Sequence, residues 1–257
     1  MPDVCVAVIT LNEEERIRAC LESVLWADEI VVVDAGSNDK TVAIAREFTD
    51  RVFFRAWTGY GPQKNFARDQ CRGEWLLSLD ADERVSEALR EKIQATLGGR
   101  PSEAGFLLPR QNVFQGRWVR HGGLYPDYQL RLFRRGRGRF RERAVHESVE
   151  VDGPTGRLGV PLVHESYRGV ADFVARTNRY SDLAAVDLAA AGRGGGALDL
   201  LARPAWRFLG MYVLRAGFLD GWRGLVLATL YAHYVFVRAV KVRELLAARG
   251  GAGGERP

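Results

Sequence analysis

The sequence Trp75-Leu76-Leu77-Ser78-Leu79-Asp80-Ala81-Asp82-Glu83 joins an apolar run directly to a cluster of carboxylates. A short apolar run of this kind is typical of a strand buried on both faces of a sheet. Carboxylates at the end of such a strand are costly to bury unless a cation neutralises them. The stretch therefore predicts a central strand with a divalent-cation site at its end, unless Asp82 or Glu83 merely opens a helix near residue 86.

Strands and helices are predicted to alternate through the first part of the chain. Apolar runs predict strands at residues 4–10, 29–33, 51–54 and 75–79, and helical spacing predicts helices at residues 13–25, 41–48, 62–71 and 88–97. Such alternation requires crossover connections, so we expect an α/β fold with a mostly parallel sheet flanked by helices. Ligands of these sheets bind beyond the carboxyl ends of the strands. The candidate site is therefore formed by the loops at residues 10–13, 34–39 and 80–83.

The composition indicates a folded protein with a modest positive charge. The 257 residues include 37 Lys and Arg against 32 Asp and Glu, and the pI is near 9.3. This excess fits an anionic partner: a sugar nucleotide, a phosphorylated glycan, a membrane surface or nucleic acid. Cys5, Cys20 and Cys71 have no pairing or zinc-binding spacing, and the N-terminus enters a strand without a basic and apolar leader. We therefore expect unpaired cysteines and a cytoplasmic protein.

The remainder of the chain is predicted to form mixed strands and then helices. Residues 105–164 hold short strand-like segments, whereas residues from 170 onward have helical composition. The longest uncharged run, residues 224–237, is shorter than the roughly 20 apolar residues that a membrane span needs. A helix lying at a membrane interface and a helical cap on the main domain both fit this segment. We expect a main domain at residues 1–168, a helical C-terminal extension at 169–249 and a disordered tail at 250–257.

The strand-end loops have the polar groups that nucleotide binding requires. Asp34 can accept hydrogen bonds from a base or ribose, and Gly36 supplies a tight turn before a helix that Ser37 can cap. The segment Thr10-Leu11-Asn12-Glu13 follows the neighbouring strand, and it either caps a helix or lines the same site. Asp80 and Asp82, two positions apart, can turn toward one cation and its phosphate ligand.

These segments resemble the inverting family 2 glycosyltransferases with a GT-A fold, a Rossmann-like sheet that binds nucleotide sugars. The resemblance rests on Val8-Ile9-Thr10-Leu11-Asn12-Glu13, Ile30-Val31-Val32-Val33-Asp34-Ala35-Gly36-Ser37 and Leu79-Asp80-Ala81-Asp82-Glu83. A closer likeness is to the subgroup that adds glucose or a similar sugar to the lipopolysaccharide inner core. It rests on Gln63-Lys64-Asn65, Tyr125-Pro126-Asp127-Tyr128-Gln129-Leu130-Arg131-Leu132-Phe133, Val145-His146-Glu147 and Gly217-Phe218-Leu219-Asp220-Gly221-Trp222.

The resemblance implies how the donor is bound. Thr10, Asn12 and Asp34 would line the nucleoside pocket, and Lys64 would reach the base or the phosphates of a UDP-sugar. Further donor contacts are expected from the same loops, at Glu13, Gly36 and Ser37.

The resemblance also implies a divalent metal, Mn²⁺ or Mg²⁺. Asp80 would hold the ribose or the sugar, and Asp82 would bind the metal. His164 would be a further ligand for the metal or the diphosphate, unless it is a buried histidine with a satisfied ring.

For the acceptor, the resemblance implies a glycan or glycolipid and a carboxylate that removes its hydroxyl proton. Glu147 is the preferred base and Asp127 is its rival, although either can be a loop carboxylate paired with a nearby arginine. His146 would orient the base or contact phosphate, and Tyr125 and Arg131 would contact the acceptor or its phosphates. The basic segment around Arg131 has few aromatic residues for base stacking, so nucleic acid is not an expected partner.

Two other classes of protein remain as alternatives to a hexosyltransferase. A nucleotidyltransferase generally has a basic, glycine-rich loop after its first strand, whereas residues 10–15 here are acidic and would repel a triphosphate. An inactive binding protein of the cell envelope is disfavoured because both Asp80 and Asp82 are present. The expected enzyme acts on the lipopolysaccharide core, or on another envelope glycan or lipid, as a peripheral protein at the inner face of the cytoplasmic membrane.

Overall fold

The computed structural model describes residues 3–141 and 148–251. Its strands are β1 (Val4–Thr10), β2 (Glu29–Asp34), β3 (Val52–Phe54), β4 (Trp75–Asp80), β5 (Glu83–Arg84), β6 (Gly105–Phe114), β7 (Arg117–Trp118), β8 (Asp127–Arg134), β9 (Gly138–Phe140), β10 (Val149–Val151), β11 (Thr155–Arg157) and β12 (Leu162–Tyr167). Its α-helices are α1 (Ile17–Glu22), α2 (Thr41–Ala45), α3 (Tyr60–Gln70), α4 (Glu87–Gly98), α5 (Val170–Ala190), α6 (Arg203–Leu209) and α7 (Trp222–Gly251).

The main sheet confirms the predicted α/β fold. Its strands follow the order β3-β2-β1-β4-β8-β6-β12-β5, with β11 and β7 paired to β6. Strands β3, β2, β1 and β4 are parallel, and they are the four strands expected from the apolar runs. Strand β8 joins antiparallel to β4, and β6 antiparallel to β8, so the sheet becomes mixed beyond its parallel half.

The core occupies both faces of the parallel half. All seven residues of β1 are buried, and alternate side chains enter opposite clusters because successive residues of a strand face opposite ways. Val4, Val6 and Val8 pack in the cluster that includes helices α1 and α4, whereas Cys5, Ala7 and Ile9 pack in the cluster that includes α3. This two-sided burial explains why β1 is apolar throughout, and it leaves the strand ends as the polar part of the sheet.

The described residues divide into two compact units. The first comprises residues up to 111 together with 126–165, and the second comprises residues 112–125 and those from 166 onward. The third change of unit, between residues 165 and 166, lies close to the expected junction at residue 168, and residues 112–125 belong to the second unit. Their assignment to the helical unit has a clear cause, because Phe114 and Val119 pack in one cluster with Phe173 and Leu227.

The second unit is a helical assembly around α7. A π-helical turn (Leu198–Ala202) precedes α6, and another π-helical turn (Gly210–Leu214) and a 3-10 turn (Gly217–Asp220) follow it. Lys241 of α7 binds α5 through its Nζ, which lies 2.7 Å from Asn178 Oδ1 and 2.9 Å from Ser181 Oγ. In the described part of the chain, α7 is the one helix long and apolar enough to cross a membrane, a criterion of length and composition that core helices of soluble proteins also meet.

The cysteines differ from the expectation. Cys5 of β1 and Cys71, which follows α3, are joined in a disulfide with their Cα atoms 5.9 Å apart, whereas Cys20 is free and buried. The expectation of unpaired cysteines was therefore wrong for this pair. The two residues are 66 positions apart in the sequence, and only the packing of α3 on β1 brings them together.

Candidate functional site

The carboxyl ends of β1, β2 and β4 meet at one edge of the sheet, as predicted. In the parallel registers, Thr10 is the partner of Asp34 and Ile9 is the partner of Asp80. The backbone N–H of Ala35 donates to the carbonyl oxygen of Thr10 at 3.0 Å, which extends the pairing into the loop. The acidic ends of three separate segments are therefore adjacent within the first unit.

The Asp34 loop is held by its own carboxylate. Asp34 Oδ2 accepts hydrogen bonds from the backbone N–H groups of Gly36 and Ser37, both at 2.9 Å, and the Ser37 hydroxyl donates to Oδ1. Gly36 has a φ of +106°, a left-handed conformation that favours glycine at this turn. Oδ2 thus accepts two bonds and Oδ1 accepts one, so Oδ1 keeps acceptor capacity for a ligand.

The loop that contains Asn12 is hydrogen-bonded to the loop that contains Asp34. The backbone N–H of Asn12 donates to Ser37 Oγ at 2.8 Å, and Asn12 Oδ1 accepts from the backbone N–H of Asn38 at 2.9 Å. Asn12 has a φ of +55°, which asparagine tolerates better than most residues. The Glu13 N–H donates to Thr41 Oγ1 at 2.8 Å. These cross-loop bonds fix the relative position of the two loops before any ligand binds.

Thr10 supplies an unusual polar group at this edge. Its residue is 6% exposed, and its buried Oγ1 has no hydrogen-bond partner among the residues that the structure describes. Buried hydroxyl groups are nearly always hydrogen-bonded, because an unpaired one loses its interaction with water. A ligand hydroxyl or amide that bonds to Thr10 would remove this cost, so the residue fits the predicted nucleoside pocket.

Asp80 lies in a buried network of charges. Lys64 Nζ is 2.8 Å from Asp80 Oδ1, and Arg131 Nη2 is 2.6 Å from Asp80 Oδ2. Arg131 Nη2 is also 2.6 Å from Glu83 Oε1, while Glu83 Oε2 accepts the backbone N–H of Asp80 at 2.9 Å. Burial alone would raise the pKa of Asp80, but the charges of Arg131 and Lys64 hold it well below its ordinary value. Asp80 is therefore a fixed anion with two cationic partners.

The network includes two of the predicted site residues. Lys64, predicted to reach the base or phosphates of the donor, and Arg131, predicted to contact the acceptor or its phosphates, both contact Asp80. Glu83 does not cap α4, because Ser86 is the N-cap and accepts the N–H of Leu89 at 3.2 Å. Glu83 is instead fully buried in β5. The only advance signal for these contacts was the presence of Lys64 and Arg131 in motif-like segments.

Asp82 lies near a histidine at the same edge. His164 Nε2 and Arg16 Nη1 are each 3.6 Å from Asp82 Oδ2. Asp82 is 9% exposed on its side chain, and its backbone carbonyl accepts the N–H of Glu165 at 2.9 Å, which ties the loop to β12. A carboxylate oxygen and an imidazole nitrogen this close can bind one divalent ion, so the donor set fits the expected Mn²⁺ or Mg²⁺.

The predicted acceptor-side residues lie in different parts of the protein. Asp127 accepts from Arg110 Nε and from Gln129 Nε2, both at 2.8 Å. Burial opposes ionisation of Asp127, but the Arg110 charge lowers its pKa below the ordinary value. Tyr125 belongs to the second unit, where its ring meets Trp118 edge to face. Glu147 and His146 lie outside the described residues.

The mostly parallel sheet flanked by helices, with polar loops at its strand ends, defines an α/β fold of the GT-A type. The family model for glycosyl transferase family 2 matches residues 5–153, which is more than half of the chain. The protein belongs to this family and is a glycosyltransferase, as the sequence motifs indicated.

Relatives and solved structures agree with this assignment. The lipopolysaccharide core biosynthesis glycosyltransferase LpsC of Rhizobium meliloti is 33% identical, over 94% of this chain and 93% of its own. An uncharacterized glycosyltransferase of Rickettsia bellii is 30% identical, over 93% of this chain and 85% of its own. The mannosyltransferase PcManGT of Pyrobaculum calidifontis, solved with GDP-mannose and Mn²⁺, is similar in structure with a TM-score of 0.53 at 19% identity, covering 94% and 89% of the two chains. This last likeness supports the GT-A fold.

Proposed function

We propose that the protein transfers a hexose from a UDP-sugar to a glycan of the lipopolysaccharide inner core, with inversion at the anomeric carbon. The Rhizobium relative, a lipopolysaccharide core biosynthesis glycosyltransferase, supports this class of acceptor. The observation that carries the proposal is the approach of Asp82 to His164 at 3.6 Å, beside the fixed loops of Thr10 and Asp34. These groups provide hydrogen-bonding partners for a nucleoside and ligands for the cation that accompanies a diphosphate.

In the proposed donor site, Asp34 and Thr10 bind the nucleoside. Asp34 keeps acceptor capacity for the ribose or base, and the Thr10 hydroxyl is buried without a partner among the described residues. Asn12, Glu13, Gly36 and Ser37 position these two groups through the bonds between the loops.

Asp80 holds the ribose or sugar through lone pairs that its two cations leave available. Its fixed charge and position come from Lys64 and Arg131. Lys64, which is only 1% exposed, would affect donor binding in two ways: it holds the Asp80 carboxylate in place, and its own positive charge attracts the donor.

Asp82 and His164 would hold the divalent ion, which would supply positive charge to the departing diphosphate. The diphosphate oxygens and waters would complete the ligand set, as is usual for Mg²⁺ and related ions. The mannosyltransferase solved with Mn²⁺ supports a metal of this kind.

The acceptor hydroxyl oxygen attacks the anomeric carbon while the bond from that carbon to the diphosphate oxygen breaks. A carboxylate takes the hydroxyl proton, and the electron pair of the broken bond leaves with UDP. Asp127 is held in an ion pair with Arg110 that lowers its pKa, which makes it a weaker base. We therefore keep Glu147 as the proposed base, with His146 beside it, and assign Arg131 to Asp80 rather than to the acceptor.

We place this reaction in the cytoplasm, because the Rhizobium relative acts in the biosynthesis of the lipopolysaccharide core. The proposed partners are a UDP-sugar donor and a glycan or glycolipid acceptor.

The test is a titration with UDP in the presence and absence of Mn²⁺, followed by a donor screen on a heptose-containing core acceptor. We expect Mn²⁺ to strengthen UDP binding in the wild type and not in Asp82→Asn. Asp69→Asn is the matched control, because Asp69 is exposed and pairs only with Arg68 among the described residues. Mn²⁺-enhanced binding that survives in Asp82→Asn would remove Asp82 from the metal site. Transfer only to a different envelope glycan or lipid would refute the proposed acceptor.

A further inference from the structure

The helical segment at residues 198–225 carries large apolar side chains on its exposed side, which we call the apolar face. Six of them, with exposures between 46% and 73%, are Leu198, Leu201, Trp206, Leu209, Leu214 and Leu219. The helices of a soluble protein normally direct polar residues outward and apolar residues inward. Several large apolar side chains exposed along one segment, rather than scattered singly, indicate a site of interaction.

The local helix geometry explains how exposed residues about two turns apart can lie on the same side of this segment. Residues 198, 206 and 214 are spaced by eight, which exceeds two turns of a regular α-helix. The π-helical turns at Leu198–Ala202 and Gly210–Leu214 widen the helix on either side of α6, so two turns take up more residues. The side chain of Met211, by contrast, is buried within the unit.

The acidic side chains of this segment are largely buried. The segment contains two of them, and both form hydrogen bonds within the second unit. Asp199 lies 2.8 Å from Arg203 Nη1 and accepts the Gly196 N–H at 3.2 Å. Asp220 lies 3.0 Å from the ring nitrogen Nδ1 of His121 and accepts the His121 N–H at 2.8 Å. Their side chains are only 15% and 9% exposed, so they contribute little negative charge to the surface.

Arginines supply the remaining charge of the apolar face. Arg207, Arg215 and Arg223 pair with no carboxylate among the described residues, and Arg207 and Arg223 lie over the rings of Tyr231 and Trp222. Exposed leucine and tryptophan among arginines without a described carboxylate partner form the pattern of a helix that lies in the interface of an anionic membrane. A second copy of the same face would instead bring arginines against arginines.

We propose that the apolar face docks the protein on a bilayer rich in anionic phospholipids, with the leucines and Trp206 in the interface and the arginines at the headgroups. This goes beyond the proposed transfer reaction, and its test uses vesicles without any glycan. A failure of docking and a failure of sugar transfer are therefore measured separately.

The experiment is flotation of the full chain with vesicles of phosphatidylcholine alone or mixed with phosphatidylglycerol. We expect binding to the anionic vesicles at low salt and release at high salt. The Arg207→Gln/Arg215→Gln variant should bind about 25-fold more weakly, at about fivefold for each charge removed. Arg46→Gln/Arg72→Gln makes the same change of charge on exposed residues of the first unit and should bind as the wild type does.

A second pair of variants tests the apolar contribution. Leu201→Ser/Trp206→Ser should abolish flotation at every salt concentration, whereas Leu183→Ser/Val186→Ser, on exposed positions of α5, should not. Three results would overturn the proposal: no binding to anionic vesicles at low salt, equal loss in the control variants, or resistance to alkaline carbonate, which indicates a spanning helix. Loss of self-association in Leu201→Ser/Trp206→Ser without any vesicle binding would identify a second copy as the occupant.

Discussion

Substitution of Arg131 by methionine tests the charge network around Asp80 most directly. Arg131 Nη2 lies 2.6 Å from both Asp80 Oδ2 and Glu83 Oε1, and Glu83 is fully buried. With Arg131 absent, Asp80 keeps its contact with Lys64, whereas the buried Glu83 loses the charge of Arg131. Removing one partner of a buried ion pair typically costs about 3–5 kcal/mol, because the other charge is left uncompensated. We expect Arg131→Met to lose about that much free energy of unfolding.

A double-mutant cycle separates this charge effect from the loss of packing. Arg131→Met/Glu83→Gln removes one cation and one carboxylate together, and the glutamine amide oxygen can still accept the Asp80 N–H. We therefore expect the double variant to be more stable than the sum of the single changes implies, by about 1–3 kcal/mol. The free energies come from urea unfolding followed by far-ultraviolet circular dichroism.

The control is Arg90→Met, which removes a largely exposed pair with Glu87 on α4. Such surface pairs contribute about 0–1 kcal/mol, so the control should stay within that range. A loss below 1 kcal/mol in Arg131→Met, or strict additivity in the cycle, would refute the network as a source of stability.

Three further predictions concern the strand-end loops. Thr10→Val removes a hydroxyl that has no hydrogen-bond partner among the described residues, so we expect unchanged or higher stability together with weaker UDP binding. Equal UDP affinity by calorimetry would show that this hydroxyl does not contact the donor. Gly36→Ala should destabilise the protein by about 1–2 kcal/mol, because its φ of +106° is strained for alanine, whereas Gly98→Ala at the end of α4 should be neutral or stabilising in the same unfolding assay. The pKa of Asp80 is lower in the folded protein, so the ionised carboxylate stabilises the fold at neutral pH, and this stabilisation is lost as the pH falls below about 4. Asp80→Asn should therefore reduce the loss of unfolding free energy at acid pH. An unchanged pH dependence of stability would contradict the charge network around Asp80.

The parallel half of the fold was predictable because its signals are local. Strand β1 is buried on both faces, so its seven residues form an unbroken apolar run that the sequence displays directly. The proximity of the acidic loops after β1, β2 and β4 could be predicted, because the carboxyl ends of parallel strands lie at one edge of a sheet. By contrast, the packing of residues 112–125 in the helical unit depends on contacts such as Phe114 with Phe173, which no periodic pattern encodes.

The charged partners of Asp80 were not predictable for the same reason. Lys64 precedes Asp80 by 16 residues on a helix, and Arg131 follows it by 51 on an antiparallel strand. A lysine in a helix and an arginine in a basic segment are ordinarily read as solvated charges, and only the sheet order β4-β8 places Arg131 beside Asp80. The disulfide between Cys5 and Cys71 is likewise a product of tertiary packing.

The two aspartates that the sequence presents as one motif have different surroundings. Asp80 is bound by two cations within 2.8 Å, so an additional divalent ion on the same oxygens would have to displace or face those charges. Asp82 Oδ2 lies 3.6 Å from Arg16 Nη1 and 3.6 Å from His164 Nε2, and this histidine can itself bind a metal. The electrostatics therefore favour a division of roles in which Asp80 fixes the organic part of the donor and Asp82 holds the ion. If this division is correct, Asp80→Asn should weaken UDP-sugar binding equally with and without Mn²⁺, whereas Asp82→Asn should weaken it only when Mn²⁺ is present.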